Sequence, residues 1–173
     1  MEKNRQQQII LGGLALVGVA LAFLIVKKTF GKKLKASLDN GWAPPVTGKF
    51  TSGFGLRKDP LNPSKEQGHN GQDVAVPIGT PVKSPMDGLI KSTTSTTEGG
   101  NQVIILHDNG WFTGYAHLSK VNVTIGQKVK KGQVIALSGN TGAHTTGPHV
   151  HVTMTNPQGV KVDPKKYLYK NVA

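Results

Sequence analysis

The sequence predicts a compact antiparallel all-β domain, and three observations predict it. From Phe50 onward, short apolar runs are separated by Gly, Pro and Asn turns. Gln102 to His107 and Trp111 to His117 flank Asp108-Asn-Gly110, a hairpin turn between two strands. His149 to Thr155 alternates polar and apolar residues in the manner of a half-buried strand, and no stretch after residue 50 keeps a helical period.

Taken in order, the elements begin with a short tail, residues 1–8. Ile9 to Val26 follows as eighteen residues without a charge. As a helix this run would be about 27 Å long, enough to cross the hydrocarbon of a bilayer. Lys27, Lys28, Lys32, Lys33 and Lys35 follow it, as after an uncleaved transmembrane helix rather than a cleaved signal peptide. Residues 27–48 read as a basic juxtamembrane segment and a linker containing Pro44-Pro45. Residues 49–168 are the expected folded domain, and 169–173 a C-terminal tail. Within the domain, Val121–Val123 and Val134–Ser138 add short strands, with Gly126 and Lys131-Gly132 as turns. Ser92 to Gly100 (STTSTTEGG) is expected to be a flexible loop at a groove edge.

Net charge is +12, of which residues 1–35, with seven Lys/Arg and one acid, carry +6. Half of the excess therefore surrounds the apolar run, where lipid headgroups explain it better than nucleic acid. The basic residues also lack interleaved aromatics, so no nucleic-acid partner is expected. Cysteine is absent, which excludes a disulfide framework and leaves a bound metal as the available staple.

Chemistry concentrates in three strings: His69-Asn-Gly-Gln-Asp73, Tyr115-Ala-His117-Leu-Ser119 and Gly147-Pro-His149-Val-His151. Residues two apart on a strand share a face, so His149 and His151 present both imidazoles to one place. Gly71 allows a turn that brings His69 and Asp73 together. Two neutral imidazoles and one carboxylate would leave Zn²⁺ near +1, acidic enough to bring a bound water to a pKa of about 7. The remaining histidines would then move protons or meet a developing oxyanion.

These strings resemble the lysostaphin/LytM-type zinc endopeptidases of the M23 family of peptidoglycan hydrolases. The similarity runs in order from Thr51-Ser-Gly-Phe-Gly-Leu-Arg57 through His69 to Asp73, Pro77 to Val82, Tyr115 to Ser119, Val129 to Gln133, Gly139 to Gly142, and Thr146 to His151. It implies a compact β-sheet or sandwich-like domain whose groove takes a peptide. It implies that His69, Asp73 and His151 bind one Zn²⁺ and that His117 and His149 are catalytic. The family's aromatic and acidic residues after the last histidine are replaced by Val152 and Thr153, a departure that bears on groove shape.

Among the weaker candidates, Arg57 is read either as a contact for a substrate carboxylate or as the partner of an acid such as Asp59. Tyr115 is a candidate substrate contact whose blander role is packing under the site. His144, in the loop from Thr141 to Gly147, is another candidate contact, whereas His107 reads as structural. The expected partners are peptidoglycan peptides and, through residues 9–26 and the flanking lysines, a lipid bilayer. Competing readings are a non-catalytic LytM-type regulator, against which the full ligand set argues, and a lipoyl-type carrier, which lacks the acidic-hydrophobic motif around its turn lysine. Charge asymmetry across the span places the domain on the cytoplasmic side. An exception to that rule would face it toward the cell wall; the alternative is the internal membrane of a phage particle.

Overall fold

The computed structural model describes residues 41–59 and 62–170. Its thirteen strands, all paired antiparallel, are β1 (Lys49–Ser52), β2 (Gly55–Lys58), β3 (Glu66–His69), β4 (Gly71–Ala75), β5 (Pro81–Lys83), β6 (Gly88–Thr96), β7 (Gly100–His107), β8 (Phe112–Leu118), β9 (Lys120–Val121), β10 (Lys128–Val129), β11 (Val134–Leu137), β12 (His149–Thr155) and β13 (Lys161–Val162). The main sheet runs β1-β4-β12-β8-β7-β6-β10, with β13 added to β12; β5-β11-β9 form a smaller sheet and β2-β3 a hairpin.

Burial follows the sequence alternation most plainly on β12. Val150, Val152 and Met154 are fully buried, while His149, His151 and Thr153 face the other side. Each buried aliphatic contributes roughly 1.5–3 kcal/mol against exposure, so a one-residue slip would cost the domain its central strand. These side chains join Val74 of β4, Val103 and Ile105 of β7, and Val82 and Ile135 of the small sheet in one core.

Four sequence expectations change. The stretch read as linker enters the fold earlier than Lys49: Val46 is buried, Trp42 packs on the core, and Ala43 N–H donates to the Pro85 carbonyl at 3.0 Å. At the other end Tyr169, assigned to the tail, is buried edge-on to Phe50, with ring centroids 5.0 Å apart. It follows a one-turn helix, α1 (Lys165–Leu168), too short to show a period in sequence. Ser92 to Thr96 is no loose loop but pairs with Ile104 to Gly100. Its β-branched threonines suit a ladder even though their polarity reads as loop. Of Val121–Val123 only Val121 is in a strand; Val123 is buried beyond it.

The apolar run 9–26 lies outside the described residues. Among the described residues, no helix is long and apolar enough to cross a membrane.

Candidate active site

Cross-strand register assembles the site. On β4 and β12, Asp73 lies directly opposite His151, and His149 opposite Ala75. Directly opposed residues project from the same face, so the pairing itself delivers carboxylate and imidazole to one point. His69 ends β3, and the single residue Asn70 leads into β4. Gly71 is obligatory at this crossing: a Cβ there would sit 2.7 Å from the His151 ring and 2.5 Å from the Val152 carbonyl oxygen.

His117 reaches the groove by a different device. Strict alternation on β8 would put it on the same face as Tyr115, inside the core. Instead Val103 pairs with Tyr115 while Asn101 pairs with Leu118, so the register breaks between them. His117 takes a left-handed φ of 62°, the one such non-glycine among the described residues. That conformation costs about 1–3 kcal/mol and turns the imidazole back toward the groove. Small Ala116, opposite His151, leaves the space open.

Hydrogen bonds fix the tautomers, because a carbonyl can only accept. His69 Nδ1–H donates to the Gly53 carbonyl at 2.7 Å, which leaves the Nε2 lone pair pointing inward. His151 donates Nε2–H to Asn70 Oδ1 at 3.1 Å and turns Nδ1 inward. His117 Nδ1–H donates to the Thr141 carbonyl and His149 Nδ1–H to the Gly147 carbonyl, both at 2.8 Å, so each presents Nε2. The rings of His117 and His149 lie 4.6 Å apart.

Three electron-rich atoms now converge. Asp73 Oδ1 lies 2.8 Å from His151 Nδ1 and 3.2 Å from His69 Nε2, and the two nitrogens are 3.0 Å apart. Lone pairs so close repel unless a cation or proton stands among them. Ligands about 2.0–2.1 Å from a tetrahedral ion are about 3.3 Å from one another, so this triangle is the near-closed base of such a site. Two imidazoles and a carboxylate, with one side open to a groove, are the donor set of a hydrolytic Zn²⁺. His149 Nε2, 3.8 Å from Asp73 Oδ1, borders the open side.

Electrostatics agree with that reading. Burial by itself raises the Asp73 carboxyl pKa; a second proton on the His151 and His69 rings, which would then donate to the carboxylate and carry charge, outweighs it and holds the group far below the usual carboxylate range. A bound cation would push the same way. Burial lowers the pKa of His117, and the charges of His149 and His151 lower it further, against the raising effect of the Thr141 carbonyl.

Arg57 is placed beside the ligands: Nη1 donates to Ser52 Oγ at 2.7 Å and lies 3.6 Å from Asp73 Oδ2. Asp73 is thus an acid that Arg57 faces, and the guanidinium steadies the outer oxygen of the carboxylate. His144 is exposed and lines both depressions that meet at the histidines, as a substrate contact would. Tyr115 does not reach the groove. It is 2 % exposed, its hydroxyl donates to Thr113 Oγ1 at 2.9 Å, and burial raises its pKa, so it is a core residue under the site. His107 has the structural role expected, buried between the Asp87 carbonyl and Thr113. The supporting groups that sequence reading missed are Asn70 and the carbonyls of Gly53, Thr141 and Gly147. Backbone carbonyls leave no trace in a sequence.

The groove above the triangle encloses roughly 370 Å³, within the range of ligand sites. Its walls are Arg57 and the β2–β3 hairpin on one side and Thr96, Glu98 and Gly99 at the β6–β7 tip on the other. A carboxylate and two imidazoles at the floor of an open groove, with two further imidazoles at its edge, are a donor set that could hold a single metal ion.

Sequence comparison gives the family. The profile of peptidase family M23 matches residues 67–164, and the chain belongs to that family. It is 54 % identical over 83 residues to the peptidoglycan DD-endopeptidase ShyA of Vibrio cholerae, covering 48 % of this chain and 19 % of that protein. It is 40 % identical over 121 residues to the DD-carboxypeptidase/endopeptidase Mpg of Neisseria meningitidis, covering 70 % of this chain and 27 % of that one. Among solved structures, the catalytic domain of lysostaphin from Staphylococcus simulans superposes with a TM-score of 0.61 at 33 % identity, covering 78 % of this chain and 97 % of that one. A zinc-containing peptidase from Vibrio cholerae superposes with a TM-score of 0.63 at 37 % identity, covering 71 % and 39 %. The chain spans 19 % to 36 % of the length of the first three curated relatives it matches.

Proposed function

We propose that this protein is a zinc endopeptidase that hydrolyses amide bonds in the peptide stems or cross-bridges of peptidoglycan, held at a membrane by residues 9–26. The observation that carries this reading is the convergence of His69 Nε2, Asp73 Oδ1 and His151 Nδ1 beneath an open groove, with His117 and His149 aiming Nε2 at the same space. Relatives named as peptidoglycan endopeptidases support the substrate class.

Zn²⁺ held by His69, Asp73 and His151 would supply Lewis acidity, activating water and polarising the scissile carbonyl. The rest is the work of the chain's own groups. The groove walls hold an extended peptide across the triangle. His117, kept neutral by burial, accepts a proton at Nε2, because its Nδ1 proton is committed to Thr141. His149, committed to Gly147 through Nδ1, brings its Nε2 to the oxygen that gains charge or to the leaving amine. The Thr141–Gly147 loop thus holds both histidines by its carbonyls, and the Ala143 and His144 N–H groups tie it to the Thr97 and Glu98 carbonyls at the β6–β7 tip.

Digestion of purified muropeptides from several wall types, read by mass, tests the reading. New amine and carboxyl termini should appear, vanish with chelator and return with Zn²⁺. Lysis by a zinc-free His151→Ala protein would sink the enzyme; zinc-loaded protein that cleaves nothing yet activates another hydrolase would establish the regulator instead. The five lysines after the span favour a domain on the enclosed side of its membrane, as in the internal membrane of a phage particle. Protease protection in sealed vesicles or intact particles separates that placement from one facing the cell wall.

A further inference from the structure

A second distinctive surface lies at the end of the sheet opposite the histidines. β7 has Gly100 at the groove and His107 at the far end, about 23 Å away at roughly 3.3 Å per residue. The chain arrives at this far end: Ala43 N–H donates to the Pro85 carbonyl and Lys83 N–H to the Pro45 carbonyl. Exposed lysines surround that point. Lys83 ends β5, Lys128 pairs with Leu89 at the far end of β6, and Lys131 N–H donates to Asp87 Oδ1 at 2.8 Å. Lys161 stands on β13 opposite Thr155, and Lys130 pairs with Asp87 at 2.8 Å. Asp87, Asp108 and Asp163 are the acids beside these five lysines, so positive charge dominates.

Aromatic and aliphatic groups share the surface. Trp42 and Trp111 are half-buried and meet edge-on at 6.2 Å, and Tyr167 lies 5.0 Å beyond Trp111. Ile125 and Val160, 63 % and 56 % exposed, add aliphatic area. Lysines ringing half-sunk Trp and Tyr are the composition of a surface resting at headgroup level. The chain's own order points to the same partner. Only residues 36–41 separate Lys35, the last lysine after the apolar run, from Trp42, and six residues reach about 20 Å at full extension.

We propose that the Trp42 end of the domain is a bilayer-facing surface. Lys83, Lys128, Lys131 and Lys161 meet the phosphates of anionic lipid, Trp42 and Trp111 lie among the headgroups, and the groove opens on the side away from the membrane. The proposal rests on the membrane-anchor reading and adds an orientation to it.

Both tryptophans of the chain lie at this surface, so intrinsic fluorescence reports on it. Full-length protein is reconstituted into phosphatidylglycerol/phosphatidylethanolamine vesicles and, separately, into phosphatidylcholine vesicles, each carrying a shallow spin-labelled quencher. Quenching is expected with the anionic lipid only. It should be lost near 1 M salt, where the Debye length shrinks to about 3 Å. It should also be lost in the K83E/K128E/K131E variant, which keeps its zinc content, thermal midpoint and cleavage of soluble muropeptides. Equal quenching in both vesicles, or no change in the triple variant, overturns the proposal. So does a triple variant that loses binding to purified sacculi without any change in vesicle quenching, which would assign the surface to an anionic wall polymer. Flotation after an alkaline wash reads the anchor separately. If the anchor fails, quenching by added vesicles still decides the surface.

Discussion

A single buried histidine, His107, and a cluster of four at the groove stand at opposite ends of β7 and β8, and they differ in how their nitrogens are used. At the far end, Tyr115 O–H donates to Thr113 Oγ1, whose hydroxyl donates to His107 Nε2, while His107 Nδ1–H donates to the Asp87 carbonyl. Every polar atom in that chain has a partner within the protein. At the groove, each histidine gives one nitrogen to a carbonyl or to Asn70 and leaves the other aimed at its neighbours. A structural histidine closes its own hydrogen bonds, whereas a functional one leaves a lone pair for something the chain does not contain.

Breaking the open cluster should have the largest effect. His69→Ala or His151→Ala should abolish both zinc retention and hydrolysis, measured by metal analysis and muropeptide digestion. His117→Ala should keep zinc yet lower kcat by about 10²–10⁴, the scale of a lost proton-transfer group. Zinc loss on replacing His117 would make it a ligand and erase the division of roles.

The supports come next. Asn70→Ala removes the acceptor that orients His151, and Gly71→Ala drives a methyl group into the same ring. Each should weaken zinc about 10–100-fold in chelator competition, as outer-shell changes do. Unchanged affinity in both would mean that His151 is oriented by its strand alone.

The closed histidine should respond to pH through stability rather than through metal. Burial lowers the pKa of His107 below its ordinary 6.5, against raising contributions from the Asp87 and Met86 carbonyls and Asp108. The unfolded chain therefore binds the proton more readily than the folded one. The resulting stability is present above about pH 6.5 and is lost as pH falls through the folded value. His107→Gln should flatten that part of the curve of thermal midpoint against pH; a slope that survives belongs to other groups. Smallest of all, Tyr115→Phe should cost about 0.5–1.5 kcal/mol and leave hydrolysis intact. A fall in kcat/KM would return Tyr115 to the groove.

The sequence by itself determined the β class, the hairpin at Asp108 to Gly110 and the facing of His149 with His151, because the two-residue period of a strand is written in residue order. It also offered His69, Asp73 and His151 among five candidate groups, but only the family resemblance separated that triangle from His117 and His149. Tertiary structure decided the rest. The opposition of Asp73 to His151 depends on a register between strands 78 residues apart. His117 needed a break in alternation that its own strand does not announce, and Tyr115 was drawn into the core by the unbroken part of the same strand. Ser92 to Thr96, polar enough to read as a loop, became a strand that carries Thr96 to the groove only through its pairing with β7. Trp42 and Tyr169 lie beyond the expected domain limits because burial depends on what the rest of the chain leaves uncovered. Local pattern fixes which way a side chain faces along its own strand; what it meets there is set by the neighbouring strand, and that information is not local.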